Sequence, residues 1–352
     1  MRDSQLFGHV TAEAPGKVNL SLRVGPVRAD GYHEVATLYC AVSMYERVTA
    51  SPREDEAITV SISERSVFSG VDLLDESTGE RVPAEIPLDE RNLAYRAAAL
   101  LRDRVRQQRE GVLSGPWLGS EPPSYGVDLS LVKNVPVAGG MGGGSADAAA
   151  TLVACSALWN AGLSKEQLAE IGAELGADVP FALMGGAAAG QGVGDELSPL
   201  LHRGTLHLVI APASVGLSTP GVYRTLDSMR EQAGVRAEDP DLDPDLVRAV
   251  SQADAETLSA LMVNDLQAPA VSQLPELDDL LDLGLSEGAM QGIVSGSGPT
   301  VFFLAHDAAH ASQLATSLEE RAEVWALPVT APAGGARLLT QKQRSAGGAH
   351  AS

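Results

Sequence analysis

Apolar and β-branched residues gather in short runs, broken by turn residues, at Val18 to Val24 and Glu34 to Val48, which predicts strands. Between Asn92 and Arg109, Leu93, Ala97, Leu100 and Leu101 recur at helical spacing. A strand-like run, Val127 to Lys133, leads through a glycine-rich turn into an Ala-rich helical segment, Ala146 to Leu158. Leu163 to Leu175 predicts an amphipathic helix, with Ser164 as N-cap and Gln167 three residues on. Gly176 is expected to close that helix as a C-cap glycine and to release Asp178 onto a loop.

Past residue 200 the pattern restarts with a buried-strand run, Leu206 to Pro212. Helices are expected over Asp245 to Val263, Leu274 to Leu283 and His310 to Arg321, with strands around Ile293 and over Val301 to Leu304. Two polar stretches interrupt the pattern, Glu64 to Arg91 and Gln107 to Tyr125; the second, rich in Gly, Pro and Ser, reads as a loop insertion. From Gly334 the chain turns to Gly, Ala, Ser and Gln, the composition of a disordered tail. The organisation predicted is an N-terminal domain over 1–200, a C-terminal domain over 201–336 and a tail over 337–352.

Composition narrows the class of partner. The 352 residues are enough for two cores, and 44% hydrophobic with 20% charged residues fits a soluble globular chain. A net charge of −21 weighs against nucleic acid and against an anionic membrane surface. No apolar run reaches the roughly 18 residues of a membrane span, and Met1 to Gly16 lacks a signal-peptide core. Cys40 and Cys155 lie in apolar contexts and read as reduced, buried thiols. The expected compartment is the cytoplasm.

The chemistry concentrates in Pro136-Val-Ala-Gly-Gly-Met-Gly-Gly-Gly-Ser-Ala-Asp147. Its glycines admit positive φ and close backbone approach, and a helix starting next points unpaired N–H groups and its positive dipole end into the loop. Such a loop cradles an anion, most often phosphate. It is not a Walker loop, because no Lys follows the glycines, and it is not a dinucleotide fingerprint, because Ser145 stands where the third Gly belongs. The competing reading is a tight turn without a ligand, which does not require so many entropically costly glycines.

This loop resembles the second motif of the GHMP kinases, the family of galactokinase, homoserine kinase and mevalonate kinase. Ala14-Pro-Gly-Lys-Val-Asn-Leu-Ser-Leu22 is similar to the first motif, and Gly292-Ile-Val-Ser-Gly-Ser-Gly-Pro-Thr300 to the third. Lys17-Val-Asn-Leu, Arg28-Ala-Asp-Gly-Tyr-His-Glu34 and Gly176-Ala-Asp-Val-Pro-Phe181 narrow the resemblance to the members that phosphorylate a cytidine diphosphate conjugate on the non-mevalonate route to isoprenoids. The resemblance implies a two-domain α+β fold with the active site in the inter-domain cleft, ATP as co-substrate, and Mg2+ accompanying it. The implied partners are small molecules, ATP and the cytidine diphosphate conjugate.

It also implies roles. Asp178 would be the base that takes the hydroxyl proton, with Lys17 beside it to keep the carboxylate ionised. Pro136, Val137, Ala138, Gly139, Gly140, Met141, Gly142, Gly143, Gly144, Ser145 and Ala146 would bind ATP, and Asn92 and Lys133 would contact its base. Ser145 would cap the helix or meet phosphate-bound magnesium. Asn19, Tyr32, His33, Thr219 and Tyr223 would bind the substrate, with Tyr32, His33 and Tyr223 around the cytosine. Ala146 and Asp147 stand where relatives can carry Ser and Asn, which bears on the adenine contacts. No His, Cys and carboxylate pattern for a resident metal occurs. Another GHMP kinase of the homoserine or mevalonate type, or a non-catalytic ligand sensor on this fold, would share much of the pattern.

Overall fold

The computed structural model describes residues 8–75, 78–111, 122 and 124–340. The chain opens with two long strands, β1 (Val10–Val27) and β2 (His33–Pro52), followed by β3 (Ile58–Ile62), β4 (Val71–Leu74) and β5 (Arg81–Ala84). Helix α1 (Leu93–Arg109) and strand β6 (Val127–Val132) lead to α2 (Gly143–Leu158), α3 (Lys165–Ala173) and α4 (Asp178–Met184). Strands β7 (Ala187–Gln191), β8 (Glu196–Leu200), β9 (Leu206–Pro212) and β10 (Val215–Gly216) precede α5 (Thr219–Ala233), α6 (Pro244–Gln252) and α7 (Ala255–Leu261). The last part holds β11 (Val263–Asn264), α8 (Gln267–Gln273), α9 (Glu276–Ser286), β12 (Gln291–Val294), β13 (Thr300–Ala305), α10 (Ala308–Ala322), β14 (Leu327–Ala331) and β15 (Arg337–Leu338).

An eight-stranded sheet carries the order β11-β1-β2-β6-β3, with β7, β8 and β15 joined at its sides. Helices α1 to α4 cover one face. Helix α2 is apolar almost all round, and Ala146, Ala148, Ala149, Ala150 and Ala154 are fully buried, so small side chains let it lie close against the sheet. A four-stranded antiparallel sheet, β12-β13-β9-β14, packs against α5, α8, α9 and α10. A third core joins the two sheets: Val18, Leu20, Leu38 and Val42 from the first meet Leu208, Ile210, Phe302 and Leu304 from the second.

Several local expectations hold. The helix expected from Asn92 to Arg109 is α1, with Asn92 found as its N-cap, accepting from the Ala94 N–H, and Ser164 and Gln167 form both arms of a capping box on α3. Others are corrected. The C-cap of α3 is Glu174, with right-handed geometry, so Gly176 does not close it, and Asp178 is the first residue of α4 rather than a loop residue. Gly142, at φ 69°, is the N-cap of α2, so Ser145 sits inside the first turn and caps nothing. The helix predicted from 245 to 263 is two, broken where Ala253 adopts φ 53°. The polar stretch 64–91 contains β4 and β5, which pair with each other, and β4 pairs on its other side with β10. The loop insertion predicted in 107–125 lies largely outside the described residues.

The segment expected to open a tail is structured up to the last described residues. Ala333 donates to the Ala41 carbonyl, Ala336 is fully buried, and β15 pairs antiparallel with β1. Arg337 Nη2 lies 2.6 Å from Glu13 Oε1. A composition poor in large apolar groups conceals this because the segment is held by backbone bonds, one ion pair and the burial of small side chains such as Ala333 and Ala336. The remaining tail residues, 341–352, lie outside the described ones.

Candidate active site

The three glycine-bearing motifs meet at one place. Strand β1 breaks register with β2 between Pro15 and Lys17, and the Lys17 N–H donates to the Met141 carbonyl at 3.0 Å, which anchors the bulge to the loop before α2. The turn after β12 closes on the same loop, where Ser295 Oγ donates to the Gly140 carbonyl. Asn264 holds that turn from below through bonds to the Val294 and Gly296 carbonyls at 2.8 and 2.7 Å.

These contacts enclose a cavity of about 630 Å³ between the two sheets. Lys17, Asn19, Asn92, Lys133, residues 136–145, Asp178, Thr219 and Tyr223 all line it. Ala146 is buried behind the wall. His33 does not line the cavity but sits behind Tyr223, ring centroids 4.8 Å apart. Tyr32 is not brought in: it is 67% exposed and forms no part of the cavity wall.

Lys17 Nζ lies 3.7 Å from Asp178 Oδ2, with the side chains 10% and 27% exposed. A relay fixes the ammonium: Lys17 donates to Asn19 Oδ1 at 2.8 Å, Asn19 donates to Thr37 Oγ1 at 2.7 Å, and Thr37 donates to the Ser21 carbonyl. Asp178 occupies the first turn of α4, a position that favours a carboxylate. Thr219 Oγ1 and Ser297 Oγ, 2.8 Å apart, tie α5 to the turn after β12. No side chain caps α2, so the N–H groups of its first turn, among them Gly143, Gly144 and Ser145, face the loop without intrahelical partners. The arrangement therefore sets an anion cradle opposite an ammonium–carboxylate pair.

Three features go beyond the sequence reading: the placement of Tyr39, the proton held by Tyr223, and a buried triad. Tyr39 lines the cavity, its ring 5.5 Å from Lys17 Nζ, and burial followed by the nearby Asp178 charge holds its hydroxyl well above the usual phenol range. The phenol thus stays protonated and faces the carboxylate as a donor. Tyr223 is pushed up to about 12, again by burial first and Asp178 second. The third is a buried triad: Lys133 Nζ contacts Glu46 Oε1 at 2.5 Å and also Asp147 Oδ2. Burial, reinforced by Asp147, pushes the Glu46 carboxyl up to about 8 against the pull of Lys133. Burial also raises Asp147, while burial works against the Lys133 charge but its two carboxylate partners outweigh it. Two acids around one ammonium hold a shared proton in such a setting.

This triad changes the reading of Lys133. Its ammonium is committed to Glu46 and Asp147, and Glu46 also accepts from the Asn134 N–H at 2.8 Å. Asn92 is likewise committed, accepting from Ala94 and donating to the Pro87 carbonyl at 2.7 Å. Both border the cavity, yet both spend their polar atoms on the scaffold. Among the described residues no group of three or more His, Cys, Asp or Glu side chains is placed to hold a metal ion. No helix among the described residues is long and apolar enough to cross a membrane.

A glycine loop feeding a helix N-terminus, facing a Lys–Asp pair between two sheets, defines a small-molecule kinase of the GHMP class. The models of the GHMP kinases N terminal domain and of the GHMP kinases C terminal domain match residues 92–186 and 246–324. A 4-diphosphocytidyl-2-C-methyl-D-erythritol kinase of Paenarthrobacter aurescens is 50% identical over 332 residues, 94% of this chain and 96% of the relative. The enzyme of the same name from Thermobifida fusca is 47% identical, over 88% of this chain and 91% of its own. The chain belongs to the 4-diphosphocytidyl-2-C-methyl-D-erythritol kinase family of the GHMP kinases. A crystal structure of 4-(cytidine 5'-diphospho)-2C-methyl-D-erythritol kinase superposes with a TM-score of 0.67 at 30% identity, covering 92% of this chain and all 100% of that one. A homoserine kinase from Cytophaga hutchinsonii shares the fold, with a TM-score of 0.65 at 16% identity over 96% of this chain and 100% of its own. Kinases of this family use ATP as co-substrate.

Proposed function

We propose that the protein transfers the γ-phosphoryl group of ATP to the 2-hydroxyl of 4-diphosphocytidyl-2-C-methyl-D-erythritol, a step of the methylerythritol phosphate route to isoprenoids. The observation that carries the reading is the Lys17–Asp178 pair on the wall that faces the uncapped start of α2. Asp178 takes the hydroxyl proton, Lys17 keeps it ionised and draws negative charge from the attacking oxygen, and the first-turn N–H groups of α2 hold the phosphates. Mg2+ would neutralise phosphate charge when bound. The oxygen donors beside the loop, the Ser145 hydroxyl and the Asp178 carboxylate, suit an ion that arrives mainly on the phosphates.

On the substrate side, Asn19 and Thr219 supply polar contacts and Tyr223 stacks on the cytosine, while His33, packed behind Tyr223, would read the base edge once that ring yields to the ligand. Tyr32, exposed on the turn before β2, would have to swing to cover the opposite face. Two buried free thiols and an ATP requirement support a cytoplasmic site of action. Release of ADP over a panel of acceptors tests the reading. Turnover with the cytidine conjugate and not with homoserine or mevalonate is expected. Turnover with homoserine or mevalonate in its place would favour another GHMP kinase, and no turnover with any acceptor a ligand sensor.

A further inference from the structure

Asp227 belongs to none of the three motifs, yet it touches the candidate base reader directly. His33 opens β2, and Tyr223 and Asp227 lie one turn apart on α5, so both present to the same side of that helix. The Tyr223 ring lies against His33 at 4.8 Å, and His33 Nε2 is 2.9 Å from Asp227 Oδ1, with the two side chains 7% and 41% exposed. A carboxylate can only accept a hydrogen bond, so Nε2 carries the hydrogen. In the neutral ring the remaining nitrogen, Nδ1, is then a lone-pair acceptor.

We infer that Asp227 is a positioning residue that determines base specificity, locking His33 as the Nε2–H tautomer so that Nδ1 accepts from an amino-bearing pyrimidine edge. The inference rests on the cytosine reading of His33 proposed above. Cytosine carries an amino group at its 4-position, whereas uracil carries a carbonyl oxygen there. Against a Nδ1 acceptor the first makes a hydrogen bond and the second sets two lone pairs against each other. Without Asp227 the ring is free to move its hydrogen to Nδ1, which weakens the contact with cytosine and opens one with uracil.

Two measurements test this on the full chain. Long-range 1H–15N spectra of histidine-labelled protein at pH 8, with His33 assigned by its absence in His33→Ala, report the tautomer. The expected pattern is a pyrrole-like Nε2 and a pyridine-like Nδ1. The second is the ratio of kcat/KM for the cytidine and uridine conjugates in wild type, Asp227→Ala, Asp227→Glu and His33→Ala. Removing one matched hydrogen bond and its discrimination should lower the ratio about 10- to 100-fold in Asp227→Ala. Asp227→Glu, which restores a carboxylate, should recover part of it, while ATP affinity by calorimetry stays at the wild-type value in both.

A wild-type ring protonated on Nδ1, an unchanged ratio in Asp227→Ala, or an equal loss of ATP affinity would overturn the role of Asp227. Should His33→Ala abolish the ratio while Asp227→Ala keeps it, only that role falls. Should His33→Ala keep it as well, the cytosine reading falls with it.

Discussion

Two glycines of the loop before α2, two residues apart and both left-handed, should fail in different ways when a methyl group is added. Gly140 has φ 74°, and a Cβ there would stand 2.1 Å from the Ser295 carbonyl oxygen and 3.0 Å from the Gly298 nitrogen. Both are backbone atoms of the turn after β12, so the turn itself must move. Left-handed geometry costs an L-residue about 1–2 kcal/mol and overpacking a further 1–3 kcal/mol or so. Gly140→Ala should therefore lose about 2–5 kcal/mol, a large part of a typical total of about 5–15 kcal/mol. Gly142 has φ 69°, but the nearest atoms to its Cβ would be Lys17 Cγ at 3.4 Å, Asp178 Oδ2 at 3.5 Å and Lys17 Cε at 3.6 Å, ordinary contact distances. Gly142→Ala should lose only about 1–2 kcal/mol. Its methyl group, however, enters the space between the loop and the Lys17–Asp178 pair, where a displacement of about 1 Å can lower turnover by about 100-fold. Urea unfolding followed by the fluorescence of buried Trp159, together with ADP release, separates the two effects. Equal stabilities of the two variants, or a fully active Gly142→Ala, would refute the reasoning.

Three further outcomes follow from the same geometry. Asp178→Asn should lower kcat by about 10²–10⁴-fold with ATP binding intact, and Lys17→Ala should add little to it, because the two act as a unit; additive losses in the double variant would argue against that. Glu46 is raised from 4.5 to about 8 in the folded protein. The folded state therefore binds the extra proton between those values, and stability from this group is full below about 4.5 and lost as pH rises through about 8. Glu46→Gln should flatten that fall in melting temperature between pH 5 and 8.5, and an unchanged slope would place the proton elsewhere. Truncation after Pro332 removes β15 and the buried Ala336, and should lower stability by about 2–4 kcal/mol in the same urea titration, whereas an unchanged midpoint would show that the segment contributes nothing.

What the sequence determined by itself was whatever depends on local periodicity and on glycine spacing. The capping box at Ser164, the helix beginning after Asn92, the strand from 206 to 212 and the glycine-rich turn into α2 are local, because each is decided by backbone preferences within a few residues. The motifs also carried Lys17 and Asp178, but only family resemblance joined two residues so far apart in the chain; the 3.7 Å between them is a product of the fold. The same holds for what was misplaced. Lys133 entered as a base contact through the resemblance alone, while the partners that hold its ammonium, Glu46 and Asp147, come from β2 and α2. Tyr39 and Asp227 belong to no pattern, since a tyrosine in a strand and an aspartate in a helix are unremarkable until tertiary packing sets them against Asp178 and His33. Charge pairing and proton sharing act over a few ångströms of space rather than a few residues of chain, so only the folded structure could decide them.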